Sequence, residues 1–296
     1  MFSQILGKFL VEKNLISAQK LEEVLEEQKN VRVKMGLIAV SEKLLTEEQA
    51  DKINKRQAQE DKRFGDIAVE LGYLTENQVE RLLKQQGNPY LIFIQTVTEK
   101  GFMTLEEIEQ AMESYQKENG FTPTDMDDLK SGDVDRIVPL FVRSENRFAR
   151  ELAGVAIRTI VRLIDSNISV GASREADNYE FEDIALQEVE GERNIALALA
   201  GEECGLMAIA STFARESFEE MDIYAFDSVC EFINCINGLY ASALSAEGIQ
   251  VDMIPPTYYQ KGCVKTGQKA LVIPVSIKNY MVEIFISVDT ELEVSA

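Results

Sequence analysis

A hydroxyl residue returns every 29 positions through the first third of this chain, at Ser17, Thr46, Thr75 and Thr104. Gly7, Gly36 and Gly65 keep the same interval, as do Gln28, Gln57 and Gln86. A fixed period of this size confines the segment to stacked supersecondary units. Each unit reads as two helices. The first is short, as in LGKFLVEKN and FGDIAVELG, and the second starts at the hydroxyl residue. Thr46 with Gln49, Thr75 with Gln78 and Thr104 with Glu107 have the spacing of capping boxes. Apolar residues four apart, such as Leu21 and Leu25 or Val79 and Leu83, supply a buried stripe on the second helix. Four such hairpins predict one all-α repeat domain over residues 1–118. The stretch KENGFTPTDMDDLKSGDVDR that follows is rich in Asp, Gly, Thr and Pro and has little apolar periodicity. It predicts a linker over residues 119–137. A chain of 296 residues has room for a second core, expected over 138–296.

Charge and composition narrow the function. The net charge is −21, and it is uneven: residues 1–100 balance to −1, whereas residues 121–296 hold 14 basic and 30 acidic residues. An acidic C-terminal part repels nucleic acid and anionic membrane, and suits a protein partner that presents a cation. The absence of histidine removes the commonest general base and zinc ligand. Cys204, Cys230, Cys235 and Cys263 have no metal-ligand spacing and read as small buried residues, so no metal site is expected. No run of eighteen apolar residues occurs, and the start MFSQILGKFLVEKN lacks the basic head and cleavage site of a signal peptide. A cytoplasmic protein with no membrane insertion is the expectation.

In the second part, Asp227, Glu231 and Asn234 lie in the run FDSVCEFINCINGLYASAL. Steps of four and three place them in one stripe of a helix. Val229, Phe232, Ile233, Ile236, Leu239 and Tyr240 fall on the other side, the spacing of a buried face. A Glu and an Asn on a rigid helix can together grip a cation and hold a water. Around the motif, a helix is expected from about Glu145 to Ile164. Strand-like runs follow at Ile195–Ala200 and Gly205–Ala210, then the motif helix, then strands at Ala270–Ile277 and Met281–Val288.

The spacing Asp-x-x-x-Glu-x-x-Asn, followed about twenty residues later by Pro255 or Pro256, resembles the signature of the CheC/CheX family, phosphatases of phosphorylated response-regulator receivers. That family places its proline about twenty-two residues after the Asn; here twenty residues precede Pro255 and twenty-one precede Pro256. The resemblance covers residues 138–296. It implies an α/β domain with an antiparallel sheet and long helices, and hence an α+β chain overall. It also implies Glu231 and Asn234 as catalytic residues, and Asp227, Pro255 and Pro256 in docking or structural roles. The substrate would be a phosphorylated CheY-like receiver in a chemotaxis or motility pathway. The receiver supplies its own Mg²⁺, so the enzyme needs no cofactor. CheC-type members carry a second motif; the matching helix here has Arg147, Glu151 and Gly154, with no Asn. This is similar to the single-site CheX arrangement, whose members commonly form homodimers through their sheet.

The 29-residue unit is similar to the MshEN domain of type II secretion and type IV pilus ATPases. Residues 63–86 match its pattern throughout: Arg63, Phe64, Gly65, Gly72, Val79, Leu83 and Gln86. The other copies depart, with Ile5 and Asn14, Lys34 and Lys43, and Ile92 and Ile94 at the Arg and Gly positions. In that family tandem copies bind cyclic di-GMP, which makes Arg63, Gly65 and Gly72 candidate ligand residues. With one copy intact, the residues alone read first as a helical docking or dimerising module and only second as a nucleotide site. Two functions therefore stand: a receiver phosphatase whose N-terminal module docks or senses, and a non-catalytic adaptor or cyclic di-GMP-responsive binding protein.

Overall fold

The computed structural model describes residues 1–28, 32–60 and 62–295. The chain divides into two compact units, Phe2–Gly132 and a second from Asp133 onward.

The first unit is helical: α1 (Phe2–Glu12), α2 (Ala18–Glu27), α3 (Met35–Ser41), α4 (Glu47–Gln57), α5 (Phe64–Glu70), α6 (Glu76–Lys84), α7 (Pro89–Glu99), α8 (Leu105–Asn119) and α9 (Pro123–Ser131). Ser17, Thr46, Thr75 and Thr104 are the N-caps of α2, α4, α6 and α8. Each accepts a hydrogen bond from the backbone N–H three residues on, and the last three form reciprocal capping boxes. The turn before each cap also recurs. Asn14, Lys43, Gly72 and Gly101 all have positive φ, between 56° and 71°. The next N–H reaches back to the helix carbonyl five residues earlier, as Leu15 to Leu10 and Tyr73 to Ala68, both at 2.9 Å. This closes the C-terminus of the first helix of each pair. Gly72 is therefore a turn residue, and Asn14 and Lys43 make the same turn at a modest backbone cost.

Residues 119–137 are not a linker. Thr122 makes a capping box with Asp125, Pro123 opens α9, and Gly132 closes it at φ 73°. α10 (Val134–Phe141) begins two residues later, capped by Asp133. The Thr, Pro, Asp and Gly that read as a flexible spacer are the caps of two short helices. Met126, Leu129, Ile137 and Val138 are their buried anchors. The division between the units falls at residue 132 rather than across this stretch.

The second unit continues with α11 (Arg147–Leu163), β1 (Ser169–Val170), β2 (Arg174–Gly191), β3 (Ile195–Gly201), α12 (Glu203–Ala214), α13 (Ile223–Ala246), β4 (Val251–Met253), β5 (Thr257–Ile277), β6 (Tyr280–Val288) and β7 (Leu292–Ser295). The expected strand at Gly205–Ala210 lies inside α12. Its apolar run has no period of its own, and length decides the matter: helix needs the twelve residues that β3 and the next turn leave free. All described pairings are antiparallel, in the order β1-β5-β6-β3-β2-β4, with β7 on β5 and a further pairing of β5 with β2. Strand alternation sorts the side chains. Tyr179, Phe181, Ile184, Leu186, Ala198, Ala200, Val264, Val272 and Phe285 form one cluster, closed by the long β2–β5 ribbon. Intervening residues such as Leu197, Leu199 and Ile284 are also fully buried, on the face where α11, α12 and α13 pack. Val229, Phe232, Ile233, Ile236 and Tyr240 bury the inner side of α13, at roughly 1.5–3 kcal/mol for each large apolar side chain. Leu239, expected among them, is exposed, because its angle on the helix carries it past the edge of this face.

Gly65 lets α5 and α6 approach closely: an added Cβ would lie 2.6 Å from Val79 Cγ1. Gly65→Ala should destabilise the first unit by about 1–3 kcal/mol, read as a lowered urea midpoint. Wild-type stability in this variant would contradict the close approach.

Candidate functional site

α13 is the longest helix of the chain, started by Asp222, whose side chain accepts from the Tyr224 and Ala225 N–H groups. Its solvent side carries Tyr224, Asp227 and Glu231 in steps of three and four, all exposed, and then Asn234, half-buried. The expected stripe is formed. Ile223 and Tyr224 lead it at 74% and 72% exposure, large apolar side chains left open beside the acidic residues. Sequence periodicity did not single them out.

Asn234 differs from its neighbours in being tied to the sheet. Its Oδ1 accepts a 2.8 Å hydrogen bond from Gln187 Nε2 on β2. The same nitrogen donates to the Ile254 carbonyl at 2.8 Å, and Gln187 Oε1 accepts from Asn237 Nδ2 at 2.9 Å. Gln187 and Asn237 are each 1% exposed. Asn237 Oδ1 is left without a partner among the described residues. An orphan acceptor of this kind costs about 1–3 kcal/mol when no water reaches it. Asn234 Nδ2 makes no hydrogen bond among the described residues and stays available to an incoming molecule.

The proline step belongs to this assembly. Ile254 N–H donates to the Glu188 carbonyl at 3.0 Å, which fixes the residue before Pro255 to β2. Three residues after Pro255, Tyr258 stacks on Phe226 of α13 with ring centroids 3.7 Å apart. Pro255 is exposed and Pro256 half-buried. The backbone at the prolines is therefore held at two points, on β2 through Ile254 and on the motif helix through Tyr258.

Cys230 lies inside this helix between the two acidic residues. Burial, with Asp227 and Glu231 adding to it, pushes its thiol up to about 11. It is a thiol at neutral pH and not a nucleophile. Against the expectation that all four cysteines are buried, only Cys230 is: Cys235 and Cys263 are half-buried, and Cys204 is exposed in the first turn of α12. No cluster of three or more metal-ligating side chains occurs among the described residues. No helix among them is long and apolar enough to cross a membrane.

The second helix position differs. Glu151 is engaged by Arg147 at 2.5 Å and lies 3.5 Å from Tyr240 Oη, and Arg147 also pairs with Glu247 at 2.6 Å. Gly154 stands three residues after Glu151, where α13 has Asn234 three residues after Glu231, so α11 has no carboxamide at that place.

In the first unit, Arg63 and Gly65 line a cleft of about 1160 Å³, with Lys34 at the equivalent place one unit earlier. Gly72 is not part of it; it faces open space in its turn. Gly65 is accounted for by the α5–α6 approach. Arg63 is exposed and pairs with no carboxylate among the described residues, while Lys34 is bonded to Glu99 at 2.6 Å. Glu47, Asp51, Asp66, Glu99 and Glu107 also line the cleft.

Residues 184–276 match the family model of the chemotaxis phosphatase CheX. The chain is similar to a CheC-like superfamily protein from Shewanella sp. PV-4, at 18% identity and a TM-score of 0.42, covering 48% of this chain and 97% of that one. It is similar to the chemotaxis protein CheX of Desulfovibrio desulfuricans, at 14% identity and a TM-score of 0.42, covering 49% and 100%. It is also similar to the CheX–CheY–BeF3–Mg²⁺ complex of Borrelia burgdorferi, at 17% identity and a TM-score of 0.39, covering 48% and 97%. No curated protein matches the chain. The matched span runs from the middle of β2 to the end of β5 and contains Gln187, all of α13 and the proline step, so the C-terminal region holds a CheX-like domain.

Proposed function

We propose that the second unit hydrolyses the aspartyl phosphate of a response-regulator receiver in a chemotaxis or motility pathway. The observation that carries this reading is Asn234: a carboxamide with a free amide group, locked to the sheet beside an exposed Glu231, within the span that matches the phosphatase family. An acyl phosphate needs little covalent help, and a water held in line supplies most of the missing acceleration. Asn234 binds that water without titrating. The water oxygen attacks phosphorus, the bond to the aspartyl oxygen breaks, and inorganic phosphate leaves as the carboxylate is regenerated. The Mg²⁺ and the lysine that neutralise the phosphoryl oxygens arrive with the substrate. Glu231 meets that lysine as a charge-assisted pair. Ile223 and Tyr224 offer apolar docking area on the same helix, and Asp227 adds negative charge to the docking face.

A second reading concerns the first unit. The cleft beside Arg63 is large enough for a dinucleotide, and an arginine can clamp a phosphate bidentately. Its five lining carboxylates against two cations oppose a dianion, and one of those cations is already paired. Cyclic di-GMP should therefore bind weakly or not at all. Calorimetry on the full chain should give a dissociation constant above about 10 μM, or about −7 kcal/mol at the tightest. Submicromolar binding abolished by Arg63→Ala would make the unit a second-messenger input.

For the phosphatase, Asn234→Ala should slow dephosphorylation by about 10²-fold with receiver binding kept. Glu231→Lys should act mainly by raising KM. Glu151→Ala should leave turnover within about twofold, since Glu151 is committed to Arg147 and lacks an amide neighbour. Unchanged turnover in Asn234→Ala, on a receiver that the wild type dephosphorylates, would refute the assignment. Equal losses at Glu151 and Glu231 would point to a composite site.

A further inference from the structure

We infer that Gln187 is a positioning residue: through hydrogen bonds that start at the Ile254 carbonyl, it decides which end of the Asn234 carboxamide meets the substrate. The inference rests on the reading of Asn234 as the water-holding group and adds the device that orients it.

The two ends of a carboxamide have nearly the same shape and opposite hydrogen-bonding sense. A backbone carbonyl only accepts. The end of Gln187 that lies 2.8 Å from the Ile254 oxygen must therefore be its NH₂ group. The second hydrogen of that group needs an acceptor, so Asn234 must present Oδ1 to it at 2.8 Å. The Asn234 amide nitrogen is thereby turned away from the network, where no described residue engages it. The other end of Gln187 is an acceptor and takes the Asn237 amide at 2.9 Å. Rotating Asn234 by half a turn would set NH₂ against NH₂ in a buried place. Rotating Gln187 as well would set its oxygen against the Ile254 oxygen. One backbone atom thus fixes three side chains.

Ile254 is suited to be that reference. Its own N–H is bonded to β2 at Glu188, next to Gln187. The ring of Pro255 holds the preceding residue in extended backbone. A proline far along the chain from Asn234 therefore acts on it through one carbonyl and one glutamine. Gln187 touches no reacting atom in this scheme. Its loss should leave docking through Glu231 intact and release only the amide orientation.

The test uses the full chain and a CheY-type receiver phosphorylated with acetyl phosphate, chosen from a panel as one that the wild type turns over. Gln187→Met keeps length and apolar packing and removes both ends of the relay. It should lower kcat about 10-fold or more with KM within about twofold. In the background of Asn234→Ala, adding Gln187→Met should cost nothing further, because the relay acts only through Asn234. Full kcat in a folded Gln187→Met protein overturns the relay while the phosphatase reading stands. A further loss in the double variant overturns it as well. Wild-type rates in Asn234→Ala remove both. If Gln187→Met does not fold, Pro255→Ala carries the test: kcat should fall about threefold or more at constant KM, and an unchanged kcat contradicts the proposal.

Discussion

A buried glutamine between a strand and a helix holds this active-site candidate together. Gln187 donates both its amide hydrogens, to Asn234 and the Ile254 carbonyl, and accepts from Asn237. The rest of the second unit serves to bring those four groups into one place. β3 holds one side of β2 in register, and β4 and the start of β5 hold the other, which sets the height of Gln187 on the helix-bearing face. Phe232, Ile233 and Ile236 press α13 onto that face and fix its rotation, so that Asn234 reaches the sheet while Glu231 stays in solvent. A register slip of one residue in β2 would turn Gln187 to the opposite face and leave the helix with no polar anchor.

The first unit shows how far local rules alone can go. A hydroxyl cap, a turn residue at positive φ and a glycine at the helix contact each solve one problem of a helical hairpin, and none needs a ligand to explain it. Gly72 lies outside the cleft, while Gly65 lines it and is also explained by its close approach to Val79; Arg63 is then the cation left without a carboxylate partner there among the described residues, amid carboxylates that oppose an anion.

What was legible in the sequence was what is encoded within a few residues. The capping boxes at Thr46, Thr75 and Thr104, the stripe of Asp227, Glu231 and Asn234, and the extent of α11 are all of this kind. Thr122, Pro123 and Gly132 read as a linker because cap residues and linker residues share one composition, and only the burial of Met126 and Leu129 separates them. Gly205–Ala210 reads as a strand in the sequence because the cap of α12, Glu202, makes no side-chain bond and so leaves no sequence mark. Gln187 was not legible at all. A single polar residue between Leu186 and Glu188 looks like the solvent side of a strand, and its burial is decided by a helix 47 residues further on.

The central claim is that the second unit turns over a phosphorylated receiver rather than only binding one. Phosphate release from a panel of phosphorylated receivers, with the full chain present at a small fraction of their concentration, tests this most directly. The account predicts many turnovers per molecule on at least one receiver, lost when Mg²⁺ is chelated. Receivers that bind the chain but keep their phosphate as long as they do alone would contradict it, and would make the protein an adaptor.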